Sequence, residues 1–101
     1  MYYVVLMETK FESLQDARSQ SPDDLAAHVA RSKDLHASGQ VLLAGAFASS
    51  SSGYLETMAI CSTREAAEDF AAGDPFVRSG MVHKWEIREW HDMFADLPRG
   101  A

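Results

Sequence analysis

The stretch Ala72-Gly73-Asp74-Pro75-Phe76-Val77-Arg78-Ser79-Gly80 constrains this chain more than any other. A helical pattern runs into it and an aromatic strand pattern leaves it, so the backbone has to turn here. Gly73 stops a helix cheaply by taking the left-handed conformation, and Asp74 then offers a carboxylate that caps a fresh turn. Pro75 suits the first position of that turn and Gly80 its exit. Such dense punctuation fixes where one carboxylate points. It raises the question of whether Asp74 is only a cap or also half of a reaction site.

The segments before and after the junction set the fold class. Tyr2 to Glu8 is β-branched and aromatic with almost no polar alternation, the pattern of a strand covered on both faces. Thr9 to Gln20 is polar and mixed and reads as a loop with an irregular turn, long enough to draw functional interest. Ser21-Pro22-Asp23-Asp24 announces a helix, with Ser21 as cap, Pro22 in the first turn and two acids at the positive end. That helix is expected to run to about Ser38 and stop at Gly39, with Leu25, His28, Val29, Ser32, Leu35 and His36 on its inner side. Gln40 to Phe47 reads as a second strand, with Gly45 marking a bulge or a close approach by a ligand. Ala48 to Gly53 is a turn, and Tyr54 to Cys61 returns as a third strand. Ser62-Thr63-Arg64-Glu65 matches a capping box with Ser62 as cap. Ala66, Ala67, Phe70 and Ala71 follow as the apolar stripe of a second helix. Met81 to Trp90 alternates, with Met81, His83, Trp85 and Ile87 facing one way and Lys84, Glu86 and Arg88 the other.

The order βαββαβ is that of the ferredoxin-like split βαβ arrangement, an α+β class with an antiparallel sheet and two helices on one face. In that topology the end of the second helix lies at the same sheet edge as the start of the first. Asp74 and His28 are thus distant in sequence and expected to be close in space. The 101 residues suit one domain, with a core over about 1–90 and a tail over 91–101 that either docks or frays.

Composition removes several function classes. A net charge of −6 with no basic stripe argues against a nucleic-acid binder. The single cysteine, Cys61, cannot form an internal disulfide, and no leader or spanning run is visible, so a cytoplasmic setting without membrane association is expected. No nucleotide-binding loop or compact metal motif is present, and no cofactor is called for. His36 and His83 invite a metal reading, but His28 and His36 are two turns apart, too far to share one tetrahedral ion unaided.

At this point several pieces resemble the YciI-like (YCII-related) family: Tyr2-Tyr3-Val4-Val5, Ala27-His28-Val29, Gly39-Gln40-Val41-Leu42-Leu43-Ala44-Gly45 and, most specific, Asp74-Pro75-Phe76-Val77-Arg78-Ser79-Gly80. The similarity spans about Met1 to Trp90. It implies a dimeric α+β barrel, two ferredoxin-like sheets packed together, with a His–Asp site that falls here on His28 and Asp74. Relatives' chemistry includes dehydrochlorination of a chlorinated hydroxyquinol. The chain departs from the family pattern in carrying Leu25 where many members have arginine one turn before the histidine. It also has Ala46 where many have proline. The first change removes an anion contact.

Two readings of the pair stand side by side. As an acid–base dyad, Asp74 holds one ring nitrogen of His28 and fixes its tautomer while the other handles a substrate proton. As a purely structural feature, His28 is a satisfied core histidine and Asp74 a turn cap. Ser32, one turn beyond His28, can orient a ligand oxygen. Phe76, Arg78 and His83 complete a candidate binding set, with Phe76 walling an aromatic pocket alongside Trp85, Tyr54 and Tyr3. The expected function is a small cofactor-independent enzyme, a homodimer, performing elimination or isomerisation on a small aromatic or lactone-like compound. The alternative is a non-catalytic ligand-binding or regulatory dimer, and a cofactor-free monooxygenase is the third choice.

Overall fold

The strand that the sequence marks as apolar on both sides is the inner strand around which the sheet forms. In the computed structural model, which describes residues 1–98 and Gly100, β1 (Tyr2–Thr9) pairs antiparallel with both β3 (Glu56–Cys61) and β4 (Val82–Trp90). The outer strand β2 (Val41–Ala46) pairs with β3, giving the sheet order β2-β3-β1-β4. Four helices complete the frame: α1 (Leu14–Gln20), α2 (Pro22–Ala37), α3 (Arg64–Gly73) and the single turn α4 (Pro75–Arg78). This is a ferredoxin-like α+β fold with two short helices added to the βαββαβ order.

Register decides which side chains meet the helices. Val5, Ala59 and Ile87 lie in line across the sheet, as do Met7, Thr57 and Trp85, and this set faces the helices. Val5, Met7, Ala59 and Cys61 pack with Ala67, Phe70 and Ala71 of α3 and Phe76 of α4. All four residues of the expected apolar stripe, Ala66, Ala67, Phe70 and Ala71, are buried. Leu6, Met58 and Ile60 lie on the opposite face, which no helix covers, and Leu43 and Trp90 on that face stay largely exposed.

Several local expectations change. Thr9–Gln20 is not a loop throughout, because α1 occupies its second half. Ser13 Oγ accepts from Asp16 N at 3.0 Å, and Asp16 Oδ2 accepts from Glu12 N at 2.9 Å. Ser21 stands at the start of α2, yet its side chain makes no capping bond; its N–H closes α1 on Ala17 O. The cap of α3 is Thr63, whose hydroxyl accepts from Ala66 N, and not Ser62. β3 starts at Glu56 because Ser50 Oγ gathers Ser52 N, Gly53 N and Tyr54 O into a turn. The irregularity of β2 falls at Leu42, between the pairs Val41–Cys61 and Leu43–Ile60, and not at Gly45.

A register shift between Glu8 and Thr9 breaks the simple alternation of β4. Val82 turns inward as a core residue, and His83 bonds Glu8 instead of continuing the Trp85–Ile87 row. Gly39 and Gly80 take φ near +82°, as their stop positions require, whereas Gly73 does not take the left-handed conformation. From His91 the chain leaves the sheet in turns with Met93, Phe94 and Leu97 exposed. Among the described residues, no helix is long and apolar enough to cross a membrane.

Candidate active site

The junction between α3 and α4 presents Asp74 twice over, as the last cap of one helix and the first cap of the next. Its backbone N–H bonds Ala71 O at 3.4 Å, which tightens the end of α3. Its Oδ2 accepts from Phe76 N at 3.1 Å and Val77 N at 3.3 Å, the two N–H groups that a four-residue helix cannot satisfy internally. Oδ1 is left over. It lies 2.5 Å from Nδ1 of His28, on the second turn of α2. The side chain of Asp74 is 2% exposed and that of His28 24%.

The chemistry of the contact assigns the proton. An ionised carboxylate only accepts, so Nδ1 of His28 is the donor. A neutral ring held this way carries its lone pair on Nε2, which has no protein partner among the described residues and keeps contact with solvent. The ring also packs against Phe76, with centroids 5.4 Å apart, and Phe76 meets Phe11 edge-on at 5.2 Å. Orientation is thus set from two sides: a hydrogen bond at Nδ1 and an aromatic wall.

His28, Asp74 and Phe76 line one cavity of about 210 Å³ between the sheet and α1–α2. Its walls are mainly apolar, from Met7, Phe11, Leu25, Val29 and Phe70, with Gly45 of β2 at one side. Thr9, Thr57, His28 and Asp74 are the polar side chains on the lining, and it includes neither lysine nor arginine. Thr9 is spoken for, since its hydroxyl donates to Leu55 O at 2.9 Å and accepts from Phe11 N at 3.2 Å. A dry apolar cavity of about 150 Å³ accommodates benzene in other proteins, so this volume suits one substituted ring.

Three of the six residues named from the sequence therefore come together, and three do not. Ser32 shares the half-buried side of α2 but lies outside the cavity. Arg78 is exposed at the end of α4. His83 sits on the sheet edge, where Nε2 contacts Glu8 and the ring meets Tyr54 edge-on at 5.4 Å. The hydrogen bond from His83 is the main reason the Glu8 carboxyl titrates below its ordinary range. His36, expected on the inner side, is exposed and bonds Val41 O at 2.8 Å; Val29 is exposed as well. Among the described residues, no group of three or more His, Cys, Asp or Glu is arranged to hold a metal ion. Cys61 is buried, which pushes its thiol up.

Sequence reasoning missed Phe11 and Arg31. Phe11 is fully buried at the base of the cavity, fixed by Leu55 N donating to Phe11 O at 2.8 Å. Its signals were a lone aromatic in a polar stretch and the Ser13-Leu14-Gln15-Asp16 capping pattern just behind it. Arg31, three residues after His28, carries its guanidinium to the carbonyls of Phe70 and Asp69 at 3.0 and 2.7 Å.

Comparison with known proteins agrees with this architecture. Residues 1–91 match the model of the YCII-related domain. The solved structure of 5-chloro-2-hydroxyhydroquinone dehydrochlorinase (TftG) from Burkholderia phenoliruptrix AC1100, in complex with 2,5-dihydroxybenzoquinone, is similar in fold. The match has a TM-score of 0.63 at 16% identity and covers 90% of this chain and 94% of that one. No curated protein matches the chain.

Proposed function

The chain belongs to the YCII-related family, and from that premise we propose that it is a small-molecule enzyme in which His28 and Asp74 transfer a proton on a single-ring compound. The observation that carries this reading is the 2.5 Å contact from His28 Nδ1 to Asp74 Oδ1 beside an apolar cavity, with Nε2 unpartnered among the described residues. Asp74 holds the ring so that Nε2 presents its lone pair, and Nε2 takes a proton from an acidic C–H or O–H of the ligand. The resulting imidazolium stays paired with the buried carboxylate and returns the proton to a leaving group or a neighbouring carbon. Elimination and isomerisation need these two transfers and little else. A well-placed base contributes roughly 10²–10⁴-fold in rate.

The cavity supports the ligand class. Its volume of about 210 Å³ suits one ring, and its apolar walls favour a phenolic or lactone-like compound over a highly charged one. The dehydrochlorinase with a similar fold binds a dihydroxybenzoquinone, also a single six-membered ring. The helix-free sheet face with Leu6, Met58 and Ile60 supports pairing with a second copy. Sedimentation at micromolar concentration should then give a dimer, and a monomer would count against that pairing.

The test is a thermal-shift screen with phenols, catechols and lactones, followed by turnover assays on the compounds that bind. Expected is stabilisation by at least one class with turnover that disappears in His28→Ala. Stabilisation without turnover would make the protein a binding module, and oxygen consumption would point to a monooxygenase.

A further inference from the structure

We propose that Arg31 is the positioning residue of the His28–Asp74 pair: its guanidinium clamps α2 to the end of α3 and so holds the histidine against the carboxylate. The proposal rests on the reading of that pair as the functional site. His28 and Arg31 are three residues apart on one side of α2, and their partners, Asp69, Phe70 and Asp74, lie within six residues of each other. The two side chains bridge the same pair of elements side by side.

The clamp uses groups that the end of a helix leaves over. Asp74 N turns to Ala71 O, so the Phe70 carbonyl lacks its usual partner four residues on and accepts from Arg31 Nη1. Nη2 takes the Asp69 carbonyl and lies 3.5 Å from the Asp69 carboxylate. A planar guanidinium offers two N–H groups in a fixed fork that spans both carbonyls, which a compact ammonium does not preorganise, and a cation at a helix C-terminus is favourably placed. The α2 helix buries no residue completely, so apolar packing alone holds it loosely over the cavity. The clamp also accounts for Gly73. Its backbone is not left-handed, but a Cβ there would collide with the Arg31 guanidinium. The glycine immediately before Asp74 leaves room for the arginine.

Imidazole nitrogen NMR tests the clamp without a known ligand. In the wild-type protein, His28 should show a protonated Nδ1 and a low-field Nδ1–H resonance. Arg31→Ala should lose that resonance and move the ring toward the Nε2–H tautomer, while Arg31→Lys, reaching one carbonyl, should keep part of it. Gly73→Ala should lose it too, even though alanine favours a helix, because the new methyl displaces the guanidinium. The double variant should then match Arg31→Ala alone. Arg64→Ala, which breaks the exposed Arg64–Glu89 pair, should change nothing at His28. If Arg31→Ala does not fold, Gly73→Ala, which keeps every native side chain, decides the matter. Persistence of the resonance in folded Arg31→Ala or Gly73→Ala overturns the clamp and leaves the site reading intact. Its absence from the wild-type protein overturns both.

Discussion

The two long helices lie over the same sheet and are held to it in opposite ways. α3 buries Ala66, Ala67, Phe70 and Ala71 and behaves as a wedge in the core. α2, six residues longer, buries none completely: Leu25 and Leu35 are only partly buried against the core, and the same helix carries His28 and Arg31 to the end of α3. One helix is packed and the other is tethered. The cavity lies beneath the tethered one: packing that filled the space under α2 would close it. The difference shows where this small domain concentrates its packing and where it leaves a cavity.

Substitutions sharpen the contrast. Phe70→Ala, on the packed helix, should cost about 3–5 kcal/mol in chemical denaturation. Asp74→Ala removes a double cap and the partner of His28 at once, and should cost about 2–4 kcal/mol. Asp74→Asn separates those roles. Its amide oxygen can still cap α4, and its NH₂ then donates to His28 Nδ1 and forces the proton onto Nε2. That variant should fold with a modest loss of stability and be inactive as a base. On the tethered helix, Val29→Ala should change stability by no more than about 0.5 kcal/mol, since Val29 is already 41% exposed. A loss comparable to that of Phe70→Ala would break the comparison.

The smallest effect concerns pH. The Glu8 carboxyl is held below its ordinary range chiefly by the His83 hydrogen bond. Its contribution is therefore present above the unfolded carboxyl value and lost as pH falls through the lower folded value. Acid titration of stability should show a shallow decline in the wild-type protein that Glu8→Gln flattens. Neither residue of the pair lines the cavity, so ligand binding should be unaffected.

Much of this architecture was legible because its signals are local. The strand of Tyr2–Glu8, the stop at Gly39 and the alanine stripe of α3 each follow from a few adjacent residues, and strand order then brings His28 and Asp74 to one edge. What escaped depends on contacts across the chain. α1 has seven residues, about two turns, too few to set its periodicity apart from a loop, and the bond from Leu55 N that fixes Phe11 O comes from the far side of the β2–β3 turn. His83 was assigned to the wrong row because one register shift at Glu8 resets the alternation of β4. Gly73 does not adopt the left-handed conformation that the sequence suggests, and the space beside it is taken by Arg31, a side chain from another helix. Ser32 and Arg78 share a helix or turn with the pair, but sharing an element does not bring a side chain to the same cavity.

The central claim is that His28, held by Asp74, moves a proton on a ring bound in the cavity. Incorporation of solvent deuterium tests it most directly: ring compounds that stabilise the protein are incubated with it in D₂O and followed by mass spectrometry. Expected is deuterium uptake with the wild-type enzyme, at least 10²-fold slower with His28→Ala, by the usual reach of a general base (~10²–10⁴). Equal uptake by both proteins, or tight binding by both with neither uptake at carbon nor turnover, would contradict it.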